Sequence, residues 1–294
     1  MKIAVVGAGK WGSALAHAYS EKNSVVISSR HKRDLPNFVT IKEVLNQKYI
    51  VMAVPTQFVR EFMSQNFKFN GQKILVAAKG IEVSSGKFLN EVYEEFLPKE
   101  NIAFLSGPSF AAEVIKSLPT ALVVSSTNKK LAKKFAKAMP SFIKAYVDSD
   151  VVGAEVAGAY KNVIAIAAGV CDGLELGNNA RAALISRGLV EMSRFGKHFG
   201  AKNRTFLSLG GSGDLFLTAS SNLSRNYRVG YGLAKDKSLD EILKELGEVA
   251  EGVATTKALV KIAKEKNIYM PIVKEVNKLL KGKNPKKSLQ DLLK

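Results

Sequence analysis

The chain has 294 residues, enough for about two domains with a sizeable core. With 46% hydrophobic and 24% charged residues it reads as a folded globular protein, which excludes a largely disordered chain. A single cysteine, Cys171, excludes an intrachain disulfide, and three scattered histidines exclude a dense zinc cluster. The net charge of +18 admits nucleic acid, a membrane surface or an anionic small molecule as partner.

In chain order, Met1–Gly7 runs straight into a strand pattern and leaves no room for a signal peptide, so a cytoplasmic chain is expected. Ile3–Val6 is the first predicted strand and Trp11–Ser20 the first helix. Between them Gly7-Ala8-Gly9-Lys10-Trp11-Gly12 fits G-x-G-x-x-G. Gly7 would make the tight turn, Gly9 would let the backbone approach a pyrophosphate, and Gly12 would let helix and strand pack closely. The helix N-terminus adds N–H groups and partial positive charge. Ser24–Ser28 is the second strand, and Ser29-Arg30-His31-Lys32-Arg33 follows it with no carboxylate until Asp34. An acidic residue there would bond the ribose hydroxyl of NAD(H). A cation cluster suits a 2′-phosphate instead and favours NADP(H), with Arg30 the first choice of partner and Arg33 the second.

Tyr49–Val54, stopped by Pro55, then Lys73–Ala78, Ala103–Leu105 and Ala121–Ser125 extend the pattern of apolar runs alternating with helices. Such runs indicate a parallel sheet covered on both faces. Two loops lie past these strands: Ala77-Ala78-Lys79-Gly80 and Ser106-Gly107-Pro108-Ser109-Phe110-Ala111. Ligands of open α/β sheets bind beyond the carboxyl ends of the strands, so both loops are expected to face the same crevice as the glycine turn.

Near Asp148–Val152 the strand signals stop and long Ala/Leu/Ile/Lys-rich helical stretches begin. Residues 1–148 therefore read as an α/β, Rossmann-like domain and 149–294 as an all-helical domain. The stretch 152–170 is apolar nearly all round, as in a buried helix, and its run Val163–Val170 is too short to span a bilayer. Lys161 and Asn162 interrupt it. At helical spacing Lys161 has mostly small neighbours (Ala154, Ala157, Gly158, Ala165, Ala168), which leaves a lane for a ligand or another helix. A buried lysine is costly unless paired. Burial favours its neutral form, so such a group can pass a proton near neutral pH; a buried salt bridge with Glu155 or Asp214 is the competing reading.

Further on, Gly210-Gly211-Ser212-Gly213-Asp214-Leu215 precedes a helix, with Asp214 as its N-cap. Ser224-Arg225-Asn226 brings together a hydroxyl, a guanidinium and an amide, suited to a phosphate or to a cap and surface turn. From Lys257 to Lys294 eleven lysines face three acids, a net of +8, on helical segments without any nucleic-acid motif. That excess reads as solvated basic helix faces.

Together these residues resemble the NAD(P)-dependent glycerol-3-phosphate dehydrogenase family, bacterial type. The likeness runs along the whole chain through the glycine turn, Ala78-Lys79-Gly80, Ser106–Ala111, Tyr160–Ala165, Asn178–Ile185, Gly213–Leu215, Ser224–Asn226 and Glu248–Gly252. It implies reduction of dihydroxyacetone phosphate to sn-glycerol 3-phosphate, which supplies phospholipid synthesis. By that analogy Lys161 is the general acid/base, and Asp214 contacts substrate and tunes the lysine. Lys79, also placed in the catalytic set, would hold substrate with Gly107 and Ser109. Ser224, Arg225 and Asn226 would bind the phosphate. Gly7, Gly9, Lys10, Trp11, Gly12, Arg30, Arg33, Lys79, Ala111, Arg225, Val249 and Glu251 would contact the cofactor. Two departures from relatives are Lys10, where many carry Ser, and the order Arg30-His31. The implied partner is a small phosphorylated ketone or alcohol, with no metal, no nucleic acid and no membrane insertion, and a homodimer is compatible. Competing functions are a β-hydroxyacid or ketopantoate reductase, a basic nucleic-acid-binding protein and a dinucleotide-sensing regulator.

Overall fold

The structure is a computed structural model and describes residues 1–293. By internal packing the chain divides into two compact units. Met1–Lys79 with Phe88–Ala154 form the first, and Gly80–Lys87 with the chain from Glu155 onward form the second.

The first unit is built on one seven-stranded sheet: β1 (Lys2–Val6), β2 (Ser24–Ser28), β3 (Tyr49–Met52), β4 (Lys73–Val76), β5 (Ile102–Ser106), β6 (Thr120–Ser125) and β7 (Ile143–Asp148). Their order across the sheet is β2-β1-β3-β4-β5-β6-β7. Strand residues alternate between two cores. Ile3, Val5, Val51 and Leu75 join one, while Ala4, Val6, Ile50, Met52, Ile74 and Val76 join the other. Burial on both faces is why each strand reads as an unbroken apolar run. Helices α1 (Lys10–Ser20), α2 (Ile41–Leu45), α3 (Val59–Asn66), α4 (Leu89–Tyr93), α5 (Ala111–Val114) and α6 (Lys129–Lys137) connect the strands.

Two features depart from the sequence expectation. The sheet is mostly parallel rather than wholly so, because β5 and β6 pair antiparallel. An apolar run reports burial and is silent on strand direction. The sequence reading also passed over β7, which pairs parallel with β6. Its exposed Lys144 and half-exposed Val147 and Asp148 break the continuous apolar run that marks the inner strands.

The second unit is helical: α7 (Val151–Gly173, starting in the first unit), α8 (Gly177–Lys197), α9 (Asn203–Phe206), α10 (Asp214–Ala219), α11 (Arg225–Ala234), α12 (Leu239–Leu246), α13 (Glu251–Glu265), α14 (Pro271–Leu280) and α15 (Pro285–Leu293). Helix α7 is 23 residues, longer than the apolar run read from the sequence. By length and composition it could cross a membrane, but 89% of its apolar window is buried inside the protein.

Candidate active site

In the first unit β1 to β5 are mutually parallel, so the loops that follow them leave from one edge. The chain reverses its progress across the sheet at β1, where β2 lies on one side and β3 on the other. Open α/β sheets bind ligands at such a switch point. The glycine turn sits there. Gly7 has φ +107°, and a Cβ on it would lie 2.6 Å from the Ala53 carbonyl oxygen that follows β3. A Cβ on Gly12 would lie 1.7 Å from the Gly7 oxygen, whereas one on Gly9 would meet nothing within 4 Å. Gly7 and Gly12 thus answer to packing inside the protein, and Gly9 leaves open space over the first turn of α1. No side chain caps that turn. Open space at Gly9 and the lack of a side-chain cap are what a pyrophosphate requires, so the residues present fit a dinucleotide. Gly12→Ala is expected to destabilise the unit by at least about 1–3 kcal/mol, the usual cost of forced overpacking. A thermal midpoint equal to wild type would contradict this.

Around the turn, the Trp11 indole donates to the Ala77 oxygen at 3.1 Å, tying α1 to the end of β4. Past β2, Arg30, His31, Lys32 and Arg33 are all exposed, and Arg30 Nε lies 3.2 Å from His31 Nε2. Lys79 is half-buried after β4. After β5, Gly107 has φ +110°, and Ser109 donates to its oxygen at 3.2 Å. Ala111 opens α5 and is half-buried.

In the second unit Lys161 lies in the middle of α7 with its side chain 10% exposed. Its Nζ donates to Asp214 Oδ1 at 2.5 Å and to Thr218 Oγ1 at 3.1 Å. Asp214 is not a helix cap. The backbone of Leu209–Gly213 winds as a π turn directly into α10, and the Asp214 carboxylate, 1% exposed, points at the lysine. The turn requires glycine at 211, where a Cβ would lie 2.4 Å from the Phe206 oxygen. Such turns re-aim a side chain that a regular helix would turn elsewhere. Thr218 escaped the sequence reading. Its hydroxyl donates to the Asp214 oxygen at 2.6 Å, so its lone pairs receive the lysine. The spacing of four residues from Asp214 was the available signal.

Next to the lysine, the Tyr160 hydroxyl donates to buried Glu191 Oε1 at 2.8 Å. Glu191 also accepts from the Ile272 and Val273 amides, each at 3.0 Å. Burial still pushes the Glu191 carboxyl up from its ordinary value, and burial pushes the Tyr160 phenol up as well. This cluster holds α7 against α8 and the start of α14.

Ser224 caps α11, its oxygen accepting from the Tyr227 amide at 3.2 Å. A hydroxyl that accepts in this way keeps its own proton to donate. Arg225 Nη1 meets Glu248 Oε2 at 3.2 Å, and Asn226 Oδ1 accepts from the Gly252 amide at 2.9 Å. The fold therefore gathers Ser224–Asn226 with Glu248–Gly252. Within that segment Val249 is exposed and Glu251, at the first turn of α13, is half-buried. Gly252 is required at the junction, since a Cβ there would lie 2.7 Å from Asn226 Oδ1 and 2.9 Å from the Asn162 oxygen. The contact sets this cluster beside the turn that carries Lys161. Among the described residues no group of His, Cys, Asp and Glu is placed to hold a metal ion.

The chain is similar to known proteins along its whole length. The profile of the NAD-dependent glycerol-3-phosphate dehydrogenase N-terminus matches residues 34–132, and that of the C-terminus matches residues 150–291. The glycerol-3-phosphate dehydrogenase [NAD(P)+] of Sulfurimonas denitrificans is 62% identical over 292 residues, covering 99% of both chains. That of Nitratiruptor sp. is 60% identical, covering 100% of this chain and 98% of the relative. The crystal structure of glycerol-3-phosphate dehydrogenase from Coxiella burnetii superposes with a TM-score of 0.92 at 33% identity, covering 100% of this chain and 98% of that one. With a shared fold and full-length likeness, this chain belongs to the NAD-dependent glycerol-3-phosphate dehydrogenase family.

Proposed function

We propose that this chain reduces dihydroxyacetone phosphate to sn-glycerol 3-phosphate, reversibly, with NADP(H) preferred over NAD(H), and so supplies glycerophospholipid synthesis. The observation that carries the reading is the buried Lys161 ammonium held by Asp214 and Thr218. When bound, the nicotinamide supplies the hydride. As the carbonyl carbon is reduced, negative charge grows on its oxygen. Lys161 stabilises that charge and passes a proton to it. Asp214 keeps the lysine cationic, and Thr218 restricts the directions its N–H bonds take. In the reverse reaction the neutral amine receives the alcohol proton. Ser224, Arg225 and the amide of Asn226 hold the phosphate, and Glu248 orients the guanidinium. On the first unit Lys79, Gly107 and Ser109 hold substrate. The exposed Arg30–Arg33 cluster supports the NADP(H) preference, because it offers cations and no carboxylate. Burial of α7 inside the protein supports a core helix over a membrane span.

The test is nicotinamide oxidation with dihydroxyacetone phosphate, compared with unphosphorylated keto acids and with NADPH set against NADH. Turnover of the phosphorylated ketone, faster with NADPH, is expected. Turnover of a keto acid in its place points to another reductase. Arg225→Ala should raise KM for dihydroxyacetone phosphate by roughly tenfold or more, as loss of a charge-assisted hydrogen bond does. An unchanged KM removes Arg225 from the phosphate site.

A further inference from the structure

We infer that Asp172, Arg181 and Tyr227 form a positioning lock that holds the start of α11 in register with α7, and so holds Arg225 at its working distance from Lys161. The inference rests on the reading of Ser224–Asn226 as the phosphate site.

Helices α7 and α11 meet backbone to backbone. A Cβ on Gly169 would lie 2.0 Å from the Tyr227 oxygen, one on Gly230 1.8 Å from the Ile166 oxygen, and one on Gly173 2.5 Å from Ala234 Cβ. Close approach of this kind sets the separation of two helices. Moving one helix a residue along the other would bring a Cβ against that backbone, so the glycines also favour one register. Hydrogen bonds with fixed directions tighten that register at the C-terminal end of α7. Asp172, one residue before the end of α7, accepts from the Tyr227 hydroxyl at 2.5 Å and from Arg181 Nη1 at 2.7 Å, both on Oδ2. Arg181, on the first turns of α8, also reaches Asn178 Oδ1 at 2.9 Å. Three helices are thus joined through one carboxylate oxygen.

Tyr227 is held at both ends. Its hydroxyl meets Asp172, and its amide donates to Ser224 Oγ. The turn between those two bonds is the turn that carries Arg225 and Asn226. Arg181 also balances the charge of Asp172, so the lock adds no net negative charge to the helix that the phosphate approaches. None of the three side chains has a role in the proton transfer described above. They act through Arg225.

The experiment is a double-mutant cycle on the full-length enzyme with saturating NADPH. Tyr227→Phe keeps the ring and removes the bond to Asp172. It should raise KM for dihydroxyacetone phosphate roughly three- to tenfold, the effect of one hydrogen bond. Both kcat and the kcat/KM for unphosphorylated dihydroxyacetone should hold within about twofold, since the lock bears on the phosphate alone. In an Arg225→Ala background the same substitution should leave KM unchanged. If Arg225→Ala raises KM and Tyr227→Phe does not, the lock is overturned and the phosphate site stands. Equal losses on both substrates, with a lowered thermal midpoint, also overturn it by showing a general structural role. If Arg225→Ala itself leaves KM unchanged, the phosphate site fails and the lock with it. Should Tyr227→Phe not fold, Arg181→Gln replaces it in the cycle with the same outcomes.

Discussion

Lys161→Ala lowers kcat by at least about 10²-fold, the range for losing a positioned acid, in an enzyme that still folds and still binds NADPH. The physical reason is the site's geometry. Lys161 is a cation that the second unit holds buried, with two defined acceptors fixing its direction. Water admitted in its place carries no charge to meet the growing oxyanion, and water has no matched proton affinity. KM for dihydroxyacetone phosphate should move much less than kcat, because the phosphate contacts are made by other residues. Activity near wild type in the folded variant would remove Lys161 from the chemistry.

Asp214→Ala has the second large effect, and it acts on stability and rate together. The substitution leaves a cation buried at a side-chain exposure of 10% without the carboxylate that meets it at 2.5 Å. Stranding one member of a buried pair costs about 3–5 kcal/mol, so the thermal midpoint should fall by many degrees. The sign of the pH effect follows from the same charge. Asp214 favours the ammonium; without it the lysine gives up its proton more readily, and the alkaline limb of the kcat/KM profile moves to lower pH. Asp214→Asn separates the two consequences. It keeps the shape and an acceptor oxygen, so it should recover part of the stability and still show the displaced limb. A profile unchanged in Asp214→Asn would mean that the carboxylate's charge is not what governs the lysine.

Much of this arrangement is visible in the residues alone, for reasons of sterics and burial. Gly7 and Gly12 are demanded by atoms a few ångströms away, so the glycine turn is written in the chain as a local necessity. The inner strands are buried on both faces and read as apolar runs. A lysine in an otherwise apolar helix stands out for its desolvation cost, and Asp214 is one of two carboxylates the sequence offers as its partner. What stayed hidden depends on contacts between distant segments or on small backbone departures. The π turn that aims Asp214 needs Gly211 packed on the Phe206 oxygen, a contact with no signature in spacing. Thr218 resembles an ordinary helix residue until its partners are seen. Asp172, Arg181 and Tyr227 come from three helices and carry no common motif. The packing of Gly80–Lys87 with the helical unit follows from tertiary structure alone. Antiparallel pairing of β6 is invisible because an apolar strand looks the same in either direction.

The most direct test of the central claim is a crystal structure of the enzyme with oxidised cofactor and dihydroxyacetone phosphate bound. The account predicts Lys161 Nζ within about 2.6–3.2 Å of the ketone oxygen, the reach of a proton donor, with the phosphate on Ser224, Arg225 and Asn226. A ketone oxygen out of reach of that amine and seated against a different acid would contradict it.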